Sequence, residues 1–250
     1  MSIEFLFKPE TPIAITDIKT KLEGTDYATE YNAEEQAFVE AEWAKVLEGN
    51  PKSFSKPNSR ATLTDSSETN PLVLTFRPTE FKTYVATAHH QYETMRRSIY
   101  EGMRIAAIGG AILTSDGYTL IHRRPNDLTH AGGMLDASFA GFVDMKNLDP
   151  DADPKAEFKG ELLVDASVRK KLSVELRLEG TDISDIMLSG FHSGRIPDYS
   201  GMFDVVAKTR LSANQLDQQA NKKLLGECFF MHPTEVPAFL LDHYGPGKDM

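Results

Sequence analysis

Residues 136 to 179 read DASFAGFVDMKNLDPDADPKAEFKGELLVDASVRKKLSVELRLE. This stretch predicts a strand over 137–144, an acidic loop interrupted by prolines over 148–154, and a helix over 162–177. Within the helix, Val168, Leu172 and Leu176 recur every four residues and form one apolar stripe. A strand, a loop and a helix in this order are the centre of the predicted fold.

Composition disfavours several classes of partner and site. The 250 residues include 27 basic and 37 acidic side chains, and the net charge of −10 disfavours nonspecific binding to nucleic acid or to an anionic membrane. Cys228 is the only cysteine, which excludes an intrachain disulfide and a zinc–thiolate cluster and fits a reducing compartment. The chain shows no signal-peptide pattern and no apolar run of about 18 residues. We expect a cytoplasmic protein without a nucleic-acid or membrane partner.

The first 102 residues predict a smaller α/β segment. Asn32 is a suitable N-cap for a helix from Ala33 to Leu47, and Thr79 for one over 80–100. Residues 52–70, rich in Ser, Asn, Thr and Lys, predict a loop. Short strands are expected over 2–7, 13–15 and 72–76, the last ended by Arg77-Pro78. A change of composition near Gly102 predicts a domain boundary, so that 1–102 and 103–250 form separate parts.

The remaining residues predict further strands and helices around the central stretch. Ser115-Asp116-Gly117 joins two apolar runs, 105–113 and 118–124, and Asp-Gly in this position is a hairpin signal. Further strands are predicted over 186–191, 202–208 and 228–231, and helices over 214–225 and 236–243. The predicted class is α+β, with a mixed sheet flanked by helices.

Several motifs together resemble the Nudix hydrolases, whose signature is G-x5-E-x7-R-E-U-x-E-E-x-G-U with U aliphatic. Gly141 matches the opening glycine, Glu161 and Arg169 reproduce the E-x7-R spacing, and the hairpin ends in Arg123-Arg124 as that family's early hairpin often does. The resemblance runs from about residue 105 to 243 and implies a Nudix-like fold. Residues 40–100 resemble, more weakly, the N-terminal part of UDP-sugar diphosphatase-like Nudix proteins.

The sequence departs from the signature where the family's chemistry lies. Nineteen residues, not five, separate Gly141 from Glu161. Two alignments of the helix stay open. If Arg169 is the signature arginine, the three acidic positions hold Lys170, Ser173 and Val174. If the frame moves by one residue, they hold Lys171, Val174 and Glu175, and this second frame agrees better with the apolar stripe.

The loss of these carboxylates has a direct consequence for magnesium. The resemblance implies that clustered glutamates hold Mg²⁺, which prefers several hard oxygen ligands. A lysine at position 171 repels a metal ion and is placed to pair with Glu175 one turn later. We therefore expect no cofactor and no metal ligands. Magnesium would bind only in a rearranged acidic site, which the 100° spacing of helical residues allows for Glu161, Asp165, Glu175 and Glu179.

Candidate site residues lie in the helix and at strand ends. Arginine forks suit phosphate or carboxylate, and loops at strand ends commonly hold ligands. The predicted substrate-binding residues are Arg123, Arg124, Arg195, Tyr199 and His122. The predicted catalytic residues are Glu175, Glu161 and His192. Two alternatives stay open: ordinary surface polarity, and an acid–base set of His122, His192 and Asp198.

The sequence therefore predicts a Nudix-fold protein that acts on or binds a nucleoside-diphosphate or other diphosphate-type small molecule, with a non-standard or lost magnesium site. The alternatives are a catalytically silent Nudix domain that binds a ligand or a protein, and a non-hydrolytic enzyme that uses the same cleft. No oligomeric state is predicted.

Overall fold

The structure is a computed structural model that describes residues 4–22, 31–51, 55, 60–67, 72–83, 106–126, 132–143, 163–193 and 201–244. The strands are β1 Glu4–Phe7, β2 Ile13–Ala14, β3 Lys19–Leu22, β4 Arg60–Ser67, β5 Val73–Thr79, β6 Ala106–Leu113, β7 Thr119–Arg123, β8 Leu135–Asp136, β9 Phe139–Phe142, β10 Ile183–Ser193, β11 Gly201–Thr209 and β12 Glu227–Met231. The helices are α1 Ala33–Gly49, α2 Leu163–Leu176, α3 Ala213–Gln219, α4 Lys222–Leu225 and α5 Val236–Tyr244.

Nine of the described strands form one large sheet. Its main path runs β1-β10-β11-β6-β7-β12, while β2 pairs with β10, β8 with β7 and β9 with β6. The N-terminal strand β1 is antiparallel to β10, with Phe5 opposite His192 and a shift of register between Phe5 and Phe7. The predicted α+β class is confirmed, because the described residues form a large sheet flanked by helices.

A second sheet of three described strands has the order β3-β5-β4. The loop predicted over 52–70 is wrong at Arg60–Ser67, because this segment pairs antiparallel with β5 along its length. A sheet-edge strand is stabilised by backbone hydrogen bonds and does not need the apolar alternation that identifies a strand in sequence. The predicted end of β5 at Arg77-Pro78 is also wrong. Pro78 lies opposite Ala61, since its fixed φ angle is compatible with an extended chain near a strand end.

Most predicted helices are confirmed. Helix α1 starts at Ala33 with a capping box, in which the Asn32 side chain accepts from the N–H of Glu35 and Glu35 accepts from the N–H of Asn32. The single helix predicted over 214–225 is wrong, because it divides into α3 and α4 at Ala220 and Asn221. The N–H of Asn221 donates to Glu175 of α2, 2.8 Å away, and so does not continue α3. The predicted 80–100 helix lies outside the described residues beyond Thr83.

Contacts divide the chain into two compact units: Met1–Ile108 with Gly141–Lys170 and Met187–Val205, and Gly109–Ala140 with Lys171–Ile186 and Val206–Met250. In the first unit, the ring of the buried Phe203 lies 6.1 Å from Phe76 and 4.5 Å from Phe191. In the second, the buried ring of Phe139 occupies the space that a Cβ on Gly110 would need. The domain boundary near residue 102 stays a prediction. No described helix is long and apolar enough to cross a membrane.

The β6–β7 turn is joined to the start of α3 by one carboxylate. Asp116 Oδ1 accepts from the Thr114 hydroxyl at 2.6 Å and from the N–H of Ala213 at 3.0 Å. The hydrogen bond from Thr114, with a smaller contribution from Ala213, holds the pKa of Asp116 below its ordinary value of 3.8.

The lowered pKa of Asp116 predicts an acid-sensitive contribution to stability. A carboxyl group with a lower pKa in the folded state stabilises fully above its unfolded pKa, and that contribution is lost as the pH falls through the folded pKa. Urea unfolding between pH 7 and pH 3 should therefore show a shallower loss of stability for Asp116→Asn than for the wild type below about pH 4. The matched control Asp242→Asn, at an exposed carboxylate of α5, should keep the wild-type slope. Equal slopes for all three proteins would contradict the prediction.

Candidate functional site

Helix α2 is held in place by the apolar stripe that its sequence predicts. Val168, Leu172 and Leu176 have no exposed surface, and Val164 is 2% exposed. These residues are spaced by four, so they lie on one side of the helix and bury it along its whole length. The predicted stripe is therefore confirmed, and the remaining side chains of α2 have defined directions.

Helix α2 ends in a backbone conformation that an L-residue rarely adopts. Arg177 follows the last helical residue and has a φ of 54°. The N–H of Leu178 donates to the carbonyl of Leu172 at 3.2 Å, and the Leu178 side chain is 2% exposed. A left-handed residue after a helix is usually glycine, because glycine has no Cβ to clash in this region. The chain therefore turns sharply at Arg177, and Leu178 returns to the core.

Two amide residues cap the last carbonyls of α2 from a distant part of the sequence. The Nε2 of Gln219 lies 3.2 Å from the carbonyl oxygen of Leu176 and 3.1 Å from that of Arg177. Asn221 donates its backbone N–H to the Glu175 carbonyl. The last carbonyls of a helix have no partner inside it, and Gln219 and Asn221 supply donors for them here.

The ionisable side chains of α2 form pairs at the predicted spacing of four. The Nζ of Lys171 lies 3.1 Å from Oε1 of Glu175, and these side chains are 32% and 14% exposed. Earlier in the helix, Arg169 Nε lies 2.8 Å from Asp165 Oδ2. Val174, by contrast, projects toward solvent and is 48% exposed. The predicted catalytic residue Glu175 is therefore bound to a cation of its own helix.

The described acidic side chains on and just after α2 do not fit a magnesium ion of the kind that the Nudix resemblance implies. Within the described parts of the chain, no group of three or more His, Cys, Asp or Glu residues is arranged to hold a metal ion. Lys171 forms an ion pair with one carboxylate oxygen of Glu175, and Arg169 forms one with an oxygen of Asp165. Glu179 is exposed, and its backbone takes part in the cap of the short turn Gly180–Asp182. The other acidic residue of the rearranged site, Glu161, lies outside the described residues.

His122 is buried, and its ring makes a hydrogen bond to a backbone carbonyl. Its Nδ1 lies 2.7 Å from the carbonyl oxygen of Leu225, and a carbonyl oxygen only accepts, so Nδ1 carries the proton. Register places Asp136 and Cys228 directly opposite His122 on the two neighbouring strands. Burial raises the pKa of the Cys228 thiol, which keeps the sulfur protonated. This row of Cys, His and Asp therefore lacks the thiolate that a cysteine nucleophile needs.

The predicted substrate-binding arginines at the end of β7 both have protein partners. Arg123 donates to the carbonyl of Gly133 at 3.1 Å and lies 3.6 Å from Glu227. Arg124 lies 3.2 Å from Asp136, so its charge is also matched by a carboxylate. Both guanidinium groups keep partial exposure, at 36% and 28% of their side chains. Their role in ligand binding stays a prediction.

His192 is paired with a residue that the sequence analysis missed. Its Nδ1 lies 2.9 Å from Oδ2 of Asp204, and the two side chains are 19% and 34% exposed. The pair joins β10 to β11, and no local spacing signals it, because the strands are connected through residues 194–200. Those residues include the predicted Arg195 and Tyr199, and also Asp198, all of which lie outside the described residues.

The structure thus places His122, Arg123, Arg124 and Glu175 in one unit, and the chain from Gln219 to Gly226 connects them. Asn221 in this chain holds the end of α2, while the Leu225 carbonyl accepts from His122. His192 belongs to the other unit.

Comparisons with known proteins give weak likenesses. No family model matches the chain, and no curated protein matches it. Among solved structures, DR0079 from Deinococcus radiodurans has a TM-score of 0.38 and 16% identity, over 55% of this chain and 72% of that one. A Nudix hydrolase from M. smegmatis, RenU, has a TM-score of 0.32 and 14% identity, over 53% of this chain and 72% of that one. With TM-scores below 0.5, neither likeness carries an argument about this chain.

The left-handed Arg177 predicts that glycine is the better residue at the end of α2. Arg177→Gly should raise the free energy of unfolding by about 1 kcal/mol, because glycine adopts this φ without a steric cost. Arg177→Ala is the matched control, since it also removes the guanidinium but keeps a Cβ. Urea denaturation should rank Gly above Ala and the wild type. An alanine variant as stable as the glycine variant would show that the backbone is not strained there.

Proposed function

We propose that this chain is a cytoplasmic Nudix-like protein that binds a small molecule carrying a diphosphate group, without the magnesium cluster of the Nudix hydrolases. The observation that carries the proposal is the ion pair between Lys171 and Glu175 on α2, in which an ammonium group takes the carboxylate oxygen that a metal would need.

The end of α2 supports the second alignment with the Nudix signature. That alignment puts the final glycine at position 177, where the φ of 54° is one that glycine adopts readily. It puts the two aliphatic positions at Leu172 and Leu178, and both are buried. The first alignment would put the glycine at Leu176, which is helical and buried, and an aliphatic residue at the exposed Arg177. The acidic positions of the signature therefore correspond to Lys171, Val174 and Glu175.

These three positions no longer favour a divalent cation. Three glutamates would carry a charge of −3, whereas Lys, Val and Glu sum to zero. The charge of Lys171 opposes a second cation nearby, by about 1 to 4 kcal/mol at a few ångströms and effective dielectric constants of 80 to 20. Magnesium also needs close to six oxygen ligands, of which Val174 supplies none.

A lysine at position 171, where the signature has a glutamate, favours an anionic ligand. A lysine ammonium has three donors and no acceptor, and it binds phosphate oxygens as a compact charge. The diphosphate and nucleotide-sugar class comes from the sequence resemblance, and Lys171 gives it a physical basis in this chain. Arg123 and Arg124, which like Lys171 each have a carboxylate partner and keep partial exposure, are further candidate donors to the ligand.

Titration calorimetry with magnesium tests this proposal directly. The wild type should show no binding of Mg²⁺, and Lys171→Glu with Val174→Glu should create measurable binding, because it restores three carboxylates at the signature positions. The wild type should bind inorganic pyrophosphate and UDP-glucose in EDTA. Magnesium-stimulated release of phosphate or UMP by the wild type would contradict the proposal, as would an absence of any binding in EDTA.

A matched control separates the effect of position from that of charge alone. Lys170→Glu with Ser173→Glu adds the same number of carboxylates at exposed positions of α2. This control should bind magnesium no better than the wild type, if position 171 faces the site. Equal magnesium binding by both double variants would show that any acidic pair on α2 suffices.

A second candidate function is a metal-independent enzyme that uses acid–base chemistry. The His192–Asp204 contact favours it, because a carboxylate that accepts from Nδ1 orients the ring, as in many catalytic histidines. In this case the wild type should turn over UDP-glucose in EDTA, and His192→Asn should lower kcat at least tenfold while the KM changes little. The matched control is His232→Asn, the same substitution at an exposed histidine. If the wild type does not turn over UDP-glucose in EDTA, the metal-independent enzyme is excluded and the ligand-binding function is the one that stands.

A further inference from the structure

The Lys171–Glu175 pair lies on the side of α2 that faces the protein. Successive residues of a helix are 100° apart, so Glu175 projects between the directions of Val164 and Val168, both buried. Lys171 projects within about 40° of Glu175. The exposed Ser173 lies on the opposite side of the helix. The pair is therefore a partly enclosed ion pair, unlike the i,i+4 pairs of a fully solvated helix face.

Because Lys171 is partly buried, its ammonium group needs hydrogen-bond acceptors other than bulk water. Its contact with Glu175 satisfies one of its three donors, and among the described residues that carboxylate is its acceptor. Lys171 keeps about a third of its side-chain surface, 32%, so a small ligand can approach this side chain from solvent. Glu175 is more enclosed, at 14%, and holds the ammonium from the inner side.

We propose that Lys171 is the anion-binding group of the site, and that the protein binds the metal-free diphosphate in preference to its magnesium complex. This inference rests on the proposed function. The Lys171 ammonium donates to an acidic oxygen of the diphosphate, at the position where the signature has a metal-binding glutamate. Glu175 positions the ammonium and lowers its net attraction for the anion. A diphosphate already neutralised by Mg²⁺ offers less charge to the ammonium and brings a cation toward it.

The roles of the two side chains predict opposite effects of their removal. Binding of inorganic pyrophosphate in EDTA is measured by calorimetry. Lys171→Gln should weaken it about tenfold or more, because a charge-assisted hydrogen bond is lost. Glu175→Gln should tighten it, because the competing carboxylate disappears while the ammonium remains. Lys170→Gln, which removes an exposed lysine beside Lys171, is the matched control and should change the affinity less than about twofold.

Two further measurements show whether a loss of binding is caused by misfolding or by a general change of charge. Lys171→Gln leaves Glu175 partly buried without its cation, so the double variant Lys171→Gln, Glu175→Gln is included. It should fold with a wild-type circular dichroism spectrum and bind pyrophosphate as weakly as Lys171→Gln. Adding Mg²⁺ in place of EDTA should weaken pyrophosphate binding by the wild type and have little effect on the residual binding by the double variant.

The outcomes separate this inference from the proposed function. If the wild type binds pyrophosphate in EDTA but Lys171→Gln and Lys170→Gln weaken binding equally, Lys171 is not the anion-binding group, and the proposed function stands. Weaker binding by Glu175→Gln, or stronger binding in Mg²⁺, would also overturn the inference alone. If the wild type binds neither pyrophosphate nor UDP-glucose in EDTA, the proposed function and the inference both fail.

Discussion

The structure of the candidate site depends on how the C-terminal end of α2 is capped. The last carbonyls of a helix have no partner within it, and an unsatisfied buried carbonyl costs about 1 to 3 kcal/mol. Here the segment from Gln219 to Asn221 supplies the donors, and the same segment interrupts what would otherwise be one helix from 213 to 225. The break between α3 and α4 is therefore the structural consequence of capping α2. Leu225, a few residues later, accepts from His122 of β7. One short segment thus fixes both elements that carry candidate ligand-binding residues within this unit.

The cap also fixes the direction of the charged side chains. Asn221 donates to the Glu175 carbonyl, and Val168 and Leu172 of the apolar stripe are buried, so one orientation of α2 about its axis is favoured. In this orientation the side chains of Lys171 and Glu175 lie on the partly buried side of the helix. Two charges 3.1 Å apart attract by about 1 to 5 kcal/mol over effective dielectric constants of 80 to 20, and part of this offsets the cost of removing both from water. The ion pair is a consequence of the packing of α2 as much as of its sequence.

Features with a local origin were the ones that the sequence predicted well. The apolar stripe of α2, the Asp-Gly hairpin and the Asn32 cap each depend on residues within a few positions of one another, and the structure confirms all three. The pairing of Lys171 with Glu175 belongs to this class. Non-local features were missed. Gln219 and Asn221 donate hydrogen bonds to a helix more than forty residues away. Asp204 contacts His192 of the neighbouring strand, and β4 forms by pairing with β5. Pattern within a short window carries no information about such partners. The conformation of Arg177 was missed for a related reason, since nothing about an arginine signals a positive φ.

Replacing a divalent ion by a side-chain ammonium changes what a site can do chemically. A bound metal ion lowers the pKa of its water and bridges several oxygens at once, and these properties support hydrolysis. An ammonium offers one charge and three donors, so it can neutralise and orient an anion but supplies no hydroxide. The lysine is also covalently attached, and its counter-ion Glu175 lies on the same helix, so the binding group does not depend on metal concentration. A site built in this way is better suited to holding an anionic ligand than to cleaving it. Any reaction at this site would need a proton acceptor in addition to the ammonium group.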